Sequence, residues 1–232
     1  MDSVRPSIDA AIETLATTGW LAGCPVDFAG SLLDAGSVRH FEPGELLHHA
    51  GDTQGGIWGI AAGQAIGASG VGGPNAALAV AFMVGEWGGT GPMSGSVRQL
   101  DVLARVSSTI IGVPQWAIGR LLSERPEWWE HFSRLHFLLA QKFGLLAADL
   151  QLSDSRARVA GILLNATGLR RQGDDPVRFA VTQEEVGKMA NLSRYPAARI
   201  LRALVKEGLL VNHYGCIIVP KPAALRAIAD GG

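Results

Sequence analysis

The stretch from Thr182 to Glu207, TQEEVGKMANLSRYPAARILRALVKE, decides how the C-terminal third of this 232-residue chain folds. Thr182 followed three residues later by Glu185 has the form of a capping box, in which hydroxyl and carboxylate oxygens accept from free amides at a helix start. Asn191 lies in a short turn, and Ser193 is a favourable N-cap for a following helix. The stretch therefore predicts a helix, a tight turn and a second helix.

The second predicted helix has a polar leading edge, and a hairpin-like segment, LLVNHYGCIIVP, follows at residues 209–220. A helix of this kind enters the major groove of DNA, where arginine binds guanine through two hydrogen bonds or pairs with phosphate. A solvated basic face would explain an isolated helix, but cap, turn, second cap and hairpin together favour DNA binding. The predicted DNA-binding residues are Thr182, Gln183, Ser193, Arg194, Tyr195, Arg199 and Arg202.

The net charge of -1 hides an uneven distribution along the chain. Residues 1–154 contain 8 Lys and Arg against 15 Asp and Glu, a net of -7, whereas residues 155–232 contain 12 against 6, a net of +6. A basic C-terminal third on an acidic body indicates that this third meets a polyanion.

Residues 38–113 consist of short apolar runs that glycines interrupt, such as FEPGELLHHAGD and IWGIAAGQAIGAS. Short strands with turn signals every 8 to 12 residues are typical of an antiparallel sandwich or barrel. The sequence thus predicts an α+β protein whose N-terminal domain, residues 1–125, is a β-roll (jelly roll) with flanking helices.

A long helix is predicted from Pro126 to about Leu152, within a segment at residues 126–153 that separates the roll from a C-terminal domain at 154–232. Apolar residues recur in it at alternating spacings of three and four, which is the pattern of a coiled-coil seam. An ordinary buried helix is the alternative, and His136 is interpreted as a packed imidazole, not a ligand. The predicted dimer seam is Trp129, Phe132, His136, Leu139, Phe143, Leu146 and Leu150.

In this order of domains the chain resembles the Crp/Fnr family of bacterial transcription regulators, through FEPGELLHHAGD in the roll and VTQEEVGKMANLSRYPAARILRALVKEGLL in the DNA-binding part. The resemblance implies a homodimeric regulator that reads a pseudo-palindromic site on double-stranded DNA and works with RNA polymerase. It also implies that Arg194 and Arg199 contact bases and phosphates. Tyr195 departs from the family pattern, which often has glutamate there, so an unusual half-site is expected.

The same resemblance raises the question of a cyclic-nucleotide pocket in the segment FMVGEWGGTGPMSGSVRQLDVLA, residues 82–104. If Gly85-Glu86 is the family's Gly-Glu pair, the ribose-binding carboxylate is present. If Gly85-Glu86-Trp87 is instead the preceding turn, which is the alignment preferred here, Thr90 occupies the carboxylate position and Gln99 replaces a hydroxyl residue. Arg98 then pairs with a phosphate or is a surface or strand-end arginine. The candidate pocket residues are Glu86, Gly89, Thr90, Gly91, Arg98 and Gln99.

Other classes of function find less support. Two separate cysteines, Cys24 and Cys216, cannot hold an iron-sulfur cluster, and His48 and His49 lie in a strand-turn context that does not favour haem. No metal-ligand spacing or catalytic motif rises above chance, so no cofactor and no enzymatic activity are expected. The absence of a long apolar run and of a signal peptide predicts a cytoplasmic protein without a membrane partner.

Three hypotheses therefore remain. The preferred one is a DNA-binding regulator that works without an effector or responds to a small molecule other than a cyclic nucleotide. The second is a regulator that binds cyclic AMP or cyclic GMP through Glu86 and Arg98. The third is a nucleotide-binding or protein-interaction module that does not bind DNA.

Overall fold

The structure is a computed structural model that describes residues 5–71, 77–171 and 173–231. The chain forms two compact units, and the division falls after Leu139. The strand segment Ala77–Ala81 groups with the second unit, and the other described residues up to Leu139 form the first.

The first unit begins with helices α1 (Ile8–Thr17) and α2 (Val26–Asp34), between which lies a 3-10 turn at Leu21–Gly23. After α2 the chain forms the strands β1 (Ser37–Phe41), β2 (Leu46–His48), β3 (Gly56–Ala62), β4 (Ala65–Ser69), β5 (Ala77–Phe82), β6 (Trp87–Gly88), β7 (Asp101–Ala104) and β8 (Ser108–Pro114). They make two four-stranded sheets, ordered β1-β8-β3-β6 and β2-β7-β4-β5. The predicted α+β class with an antiparallel roll is confirmed.

Helix α3 (Gln115–Glu124) follows β8, and Pro114 is its N-cap. A 3-10 turn at Pro126–Trp128 then leads into the long helix α4 (Trp129–Leu150). Proline suits both positions because its fixed φ fits a helix start and its missing N–H would have no partner there.

The core of the first unit lies between the helices and the β1-β8-β3-β6 sheet. Trp20 is its aromatic centre: its ring packs at 5.5 to 5.7 Å, centroid to centroid, from Phe28, Trp87 and Phe132. Edge-to-face pairs of this kind stabilise a core beyond the area they bury. Strand residues such as Ile111 complete the same cluster.

The second unit contains the end of α4, then α5 (Ser155–Ala166), β9 (Val177–Phe179), α6 (Gln183–Met189), α7 (Arg194–Lys206), β10 (Val211–His213), β11 (Cys216–Val219) and α8 (Pro222–Ala229). Its three strands form an antiparallel sheet ordered β10-β11-β9. Helices α6 and α7 with the β10-β11 hairpin have the predicted arrangement of a winged helix-turn-helix.

A buried ion pair stabilises this unit. Asp149, which is 2% exposed, accepts from Arg170 Nε at 3.0 Å, and the same guanidinium donates to Asp230 at 2.8 Å. Arg170 thereby links the last turn of α4 to the residue that follows α8. Because a buried charge without its partner is costly, this contact fixes both ends of the unit.

Candidate nucleic-acid interface

Helix α6 begins with the capping box that the sequence predicts. The Glu185 amide donates to Thr182 Oγ1 at 3.2 Å, and the Thr182 amide donates to Glu185 Oε2 at 2.8 Å. Two amides that a helix start leaves free are thus satisfied, and the short α6 acquires a fixed first turn. Thr182 is exposed and Gln183 is half-buried, so both lie at the surface beside the turn.

The turn between α6 and α7 needs two particular residues. Asn191 has φ +52°, a left-handed conformation that asparagine tolerates better than most residues do. A Cβ on Gly187 would lie 2.9 Å from the Ala197 Cβ, so glycine and alanine allow the two helices to approach closely. Ser193 occupies the N-cap position of α7, but its side chain makes no cap hydrogen bond.

Helix α7 has an apolar side and a basic side. Ala197, Leu201 and Leu204 are buried. On the other side an exposed stripe, defined here as the α7 stripe, comprises Tyr195, Arg199, Arg202 and Lys206 at spacings of four, three and four. Residues at these spacings share one helix face, so the stripe is a continuous surface along the helix.

The two ends of α7 complete this surface. Arg194 is exposed at the N-terminal end, and Tyr195 is 86% exposed. Gly208, at φ +71°, ends the helix, and the Leu209 amide donates to the Leu204 carbonyl in a Schellman-type cap.

The charges of the α7 stripe are available to a partner. Elsewhere in the second unit Arg156 pairs with Glu207, Arg226 with Asp174, and Lys188 with Glu184. Among the residues that the structure describes, Arg194 and Arg199 have no hydrogen-bonded or ion-paired partner. Arg202 donates only to the Ala198 carbonyl of its own helix, at 3.2 Å. This surface can therefore accept phosphates or base edges without breaking an internal ion pair.

The hairpin beside α7 adds a side chain that sequence reasoning missed. Strands β10 and β11 pair His213 with Cys216, so Tyr214 and Gly215 form a two-residue loop, and Tyr214 is fully exposed at its tip. The available signal was the pair Tyr214-Gly215 between two short apolar runs, which marks a tight hairpin turn. Tyr214 extends the candidate interface beyond the predicted helix residues.

Of the candidate pocket residues in the roll, Arg98 and Gly89 are brought into contact by a hydrogen bond. Glu86 lies in the turn between β5 and β6, where its carboxylate accepts from the Met83 amide at 2.8 Å. Thr90 and Gly91 adjoin a 3-10 turn at Gly91–Ser94, and Gln99 is exposed. The Glu86 carboxylate is therefore already engaged in a hydrogen bond within the turn.

Arg98 is 7% exposed, so its interpretation as a surface arginine is wrong. Its guanidinium donates to the Gly56 carbonyl at 2.8 Å and the Gly89 carbonyl at 3.3 Å. Gly89, at φ +83°, leaves room for this contact, because a Cβ there would lie 2.7 Å from Arg98 Nη1. The sequence could not reveal this burial, since it depends on how the two glycine segments pack.

The predicted dimer seam is divided by the structure. Phe132 is fully buried in the core of the first unit and Leu139 packs against that core, so Phe132 is not available to a partner helix. The spacing alone could not show this, because α4 has apolar residues on two faces and only packing assigns them. The seam residues at Trp129 and at every seventh position after it are instead exposed, whereas Leu146 is half-buried. The exposed members are Trp129, His136, Phe143 and Leu150.

Two further kinds of site are absent from the described residues. They hold no group of three or more His, Cys, Asp or Glu side chains arranged for a metal ion. None of their helices combines the length and apolar character that a membrane crossing needs.

Comparison with known proteins identifies the C-terminal domain. Residues 157–228 match the family model described as a Crp-like helix-turn-helix domain, a range that contains α6, α7 and the hairpin. The cyclic AMP receptor protein of Thermus thermophilus is 37% identical over 99 residues, which are 40% of this chain and 43% of that relative. The alignment thus spans less than half of the curated relative.

Solved structures share the wider fold at low identity. A CRP-family transcriptional regulator from Thermus thermophilus aligns with a TM-score of 0.63 at 19% identity, over 84% of this chain and 97% of that one. FixK2 from Bradyrhizobium japonicum aligns with a TM-score of 0.65 at 14% identity, over 83% and 96%. The c-di-GMP responsive regulator CLP of Xanthomonas campestris aligns with a TM-score of 0.59 at 15% identity, over 84% and 99%. The predicted resemblance to Crp/Fnr regulators is confirmed, and these matches are to regulators, not to enzymes.

Proposed function

We propose that this protein, whose residues 157–228 match a Crp-like helix-turn-helix domain, is a DNA-binding transcription regulator. The observation that carries the proposal is the exposed α7 stripe with Arg194 at its N-terminal end, because among the described residues its cations form no ion pair with a carboxylate. Helix α7 enters the major groove, and the exposed residues of its first turns reach base edges. Thr182, Gln183 and Ser193 contact the backbone beside it, and Tyr214 extends toward the flanking phosphates.

The regulator works as a homodimer through helix α4. Trp129 and Phe143 are 49% and 41% exposed, and Phe137 on the same helix is 63% exposed, an unusual amount of apolar surface for one helix. A second copy of α4 would bury it. Charged substitution at Phe143, with glutamate, should halve the sedimentation mass, whereas glutamate at Ser123, an exposed position of α3, should not. An unchanged mass for both variants would remove α4 from the interface.

A dimer places two α7 helices on successive major grooves, about one DNA turn or roughly 34 Å apart, so the operator is pseudo-palindromic. Selection of binding sites from random duplexes with the purified protein tests this directly. The expected product is a pair of inverted half-sites that differ from the family's usual sequence at the base near Tyr195. A failure to enrich any duplex would favour a protein-interaction role for the same surface, and RNA polymerase is the expected partner of the DNA-bound form.

The regulator does not use the family's cyclic-nucleotide pocket. This proposal rests on Thr90 and Gln99 at the pocket positions, on the turn contact of Glu86, and on Arg98, which donates to backbone carbonyls. A relative is named a cyclic AMP receptor protein and a structural neighbour responds to c-di-GMP, so cyclic nucleotides are the probes to use. Calorimetric titration with cyclic AMP and cyclic GMP should give no binding heat. Micromolar binding that Glu86→Gln abolishes would restore the alternative.

A further inference from the structure

The Arg158 side chain on α5 contacts three separate segments of the second unit. Its Nε donates to the carbonyl of Ala190, the C-cap of α6, at 2.9 Å. Its Nη1 donates to the carbonyl of Leu152, which lies just after α4, and its Nη2 donates to Ser155 Oγ at 3.1 Å. Each nitrogen of the guanidinium is therefore engaged, and two of them join the ends of different helices.

Both of these carbonyls lie at the C-terminal end of a helix. The last carbonyls of a helix have no partner within it, and together they form the negative end of its dipole. A cationic side chain that donates to them stabilises that end. Because a guanidinium holds its donors in a fixed planar fork, one arginine can serve two helix ends at once.

The end of α6 is also the start of the turn that positions α7. Asn191, the left-handed turn residue, follows Ala190 directly. The Leu192 amide donates back to the Gly187 carbonyl of α6 at 2.8 Å, so the turn is tied to the helix that it leaves. Only residues 191–193 separate Ala190 from α7. A shift of the α6 end therefore moves α7 with it.

The end of α4 is held closely against α5 within the same unit. Asp149 is 2% exposed, and a Cβ on Gly161 of α5 would lie 2.6 Å from its carboxylate carbon, so only glycine allows this approach. Asn165, which is 4% exposed at the other end of α5, donates to the Lys142 carbonyl at 3.0 Å. The last turns of α4 and the whole of α5 thus form one block, and Arg158 attaches the end of α6 to it.

We propose that Arg158 is a positioning residue that fixes α7 relative to the end of α4 and thereby sets the spacing of half-sites that the protein accepts. This inference rests on the proposed function, in which two copies joined through α4 bind a pseudo-palindrome. One added base pair moves a half-site by about 3.4 Å and turns it by about 35° around the DNA axis. A rigid link rejects such a site, whereas a loosened link lets each α7 follow its own half-site.

Arg158→Lys is the variant that tests this link, because lysine keeps the charge but its single ammonium group does not reproduce the fork that joins the two carbonyls. Arg226→Lys is the matched control. Arg226 lies on α8 of the same unit and also donates to two backbone carbonyls, those of Leu169 and Gly173, at 2.9 and 2.8 Å. Both lie in the loop between α5 and β9, so the control loses similar hydrogen bonds without loosening α6 from α4.

The test is fluorescence anisotropy of the full chain with the selected palindrome, with the same palindrome lengthened at its centre by one or two base pairs, and with a single half-site. The unchanged protein should prefer the selected spacing by about tenfold or more. Arg158→Lys should reduce this preference to less than about threefold, while its affinity for the single half-site stays within about twofold. Arg226→Lys should keep the full preference. A merely structural role of Arg158 would weaken binding to every duplex by one factor and leave the preference unchanged.

Three results would overturn the inference: Arg158→Lys keeps the full preference, Arg226→Lys loses as much of it, or the unchanged protein binds every spacing equally well. If circular dichroism shows that Arg158→Lys does not fold, Ser155→Ala decides instead. It removes only the contact to Nη2 and should lower the preference by about twofold or more, and an unchanged preference would again overturn the inference. A protein that binds no duplex at all would refute the proposed function itself, and this inference with it.

Discussion

The removal of one arginine from the α7 stripe is the most direct perturbation of the proposed interface. Arg199 is exposed and has no partner among the described residues, so Arg199→Ala should leave the free energy of unfolding unchanged. A contact to a base is worth about 1 to 3 kcal/mol per half-site. In a dimer on a pseudo-palindrome both half-sites lose it, which gives about 2 to 6 kcal/mol, or roughly 30-fold to 10⁴-fold in affinity.

Fluorescence anisotropy with the selected duplex and a scrambled duplex, at several salt concentrations, measures both the size and the kind of the Arg199 contact. If Arg199 contacts phosphate, the dimer loses two such contacts, and the slope of log K against log salt should become shallower by about 2. If it contacts a base, the slope should stay nearly constant and discrimination between the two duplexes should fall.

Arg120→Ala is the control for the Arg199 measurement, because it removes the same charge from an exposed side chain in the first unit. Its affinity for the duplex should match that of the unchanged protein. Equal affinities for Arg199→Ala and Arg120→Ala would refute the assignment of the α7 stripe as the groove-facing surface.

Three further predictions concern stability. Because all six tryptophans precede residue 130, tryptophan fluorescence during urea unfolding reports on the first unit. Phe132→Ala should destabilise that unit by about 3 to 5 kcal/mol, because the ring is fully buried in its core, whereas Leu138→Ala, at a position of the same unit that is 38% exposed, should cost far less. Thr182→Ala should destabilise the second unit by about 1 kcal/mol, measured by circular dichroism, because α6 loses its capping box. Lowering the pH from 6.5 toward 4 should destabilise the first unit through His48, whose pKa is about 4 in the fold and 6.5 when unfolded. Between pH 6.5 and pH 4 the His48 imidazole is protonated in the unfolded chain but not in the fold, so acid favours unfolding. After solvent screening of the half-buried ring, the free energy of unfolding falls by an amount on the order of 2 kcal/mol. This loss of stability at low pH should be absent in His48→Leu.

Each of these measurements has an outcome that contradicts its premise. Equal losses in Phe132→Ala and Leu138→Ala would mean that α4 does not face the core as described. A Thr182→Ala protein with unchanged stability would show that α6 does not depend on its cap. A pH profile that is the same with and without His48 would mean that the imidazole is not held neutral by its surroundings.

The sequence by itself determined the local features of the DNA-binding module. Thr182 and Glu185 act across three residues, Asn191 supplies a left-handed turn residue, and Gly208 ends α7. Such signals depend on near neighbours in the chain, so they can be recognised without knowledge of the remaining fold. The glycine-interrupted strands and the long helix were predictable for the same reason, because periodicity reports which residues share a face.

Only the tertiary structure decided which partner each face meets. Spacing placed Phe132 and Phe143 on one seam, yet the fold buries the first and exposes the second, since α4 has apolar residues on more than one side. The sequence also left two interpretations of Arg98 open, as a residue that binds phosphate or as a surface residue. Its burial arises because Gly56 and Gly89, 33 residues apart in the chain, present their carbonyls to one guanidinium. Contacts between distant segments leave no local pattern in the sequence. In this protein they bury Arg98 in the first unit and decide which face of α4 stays exposed.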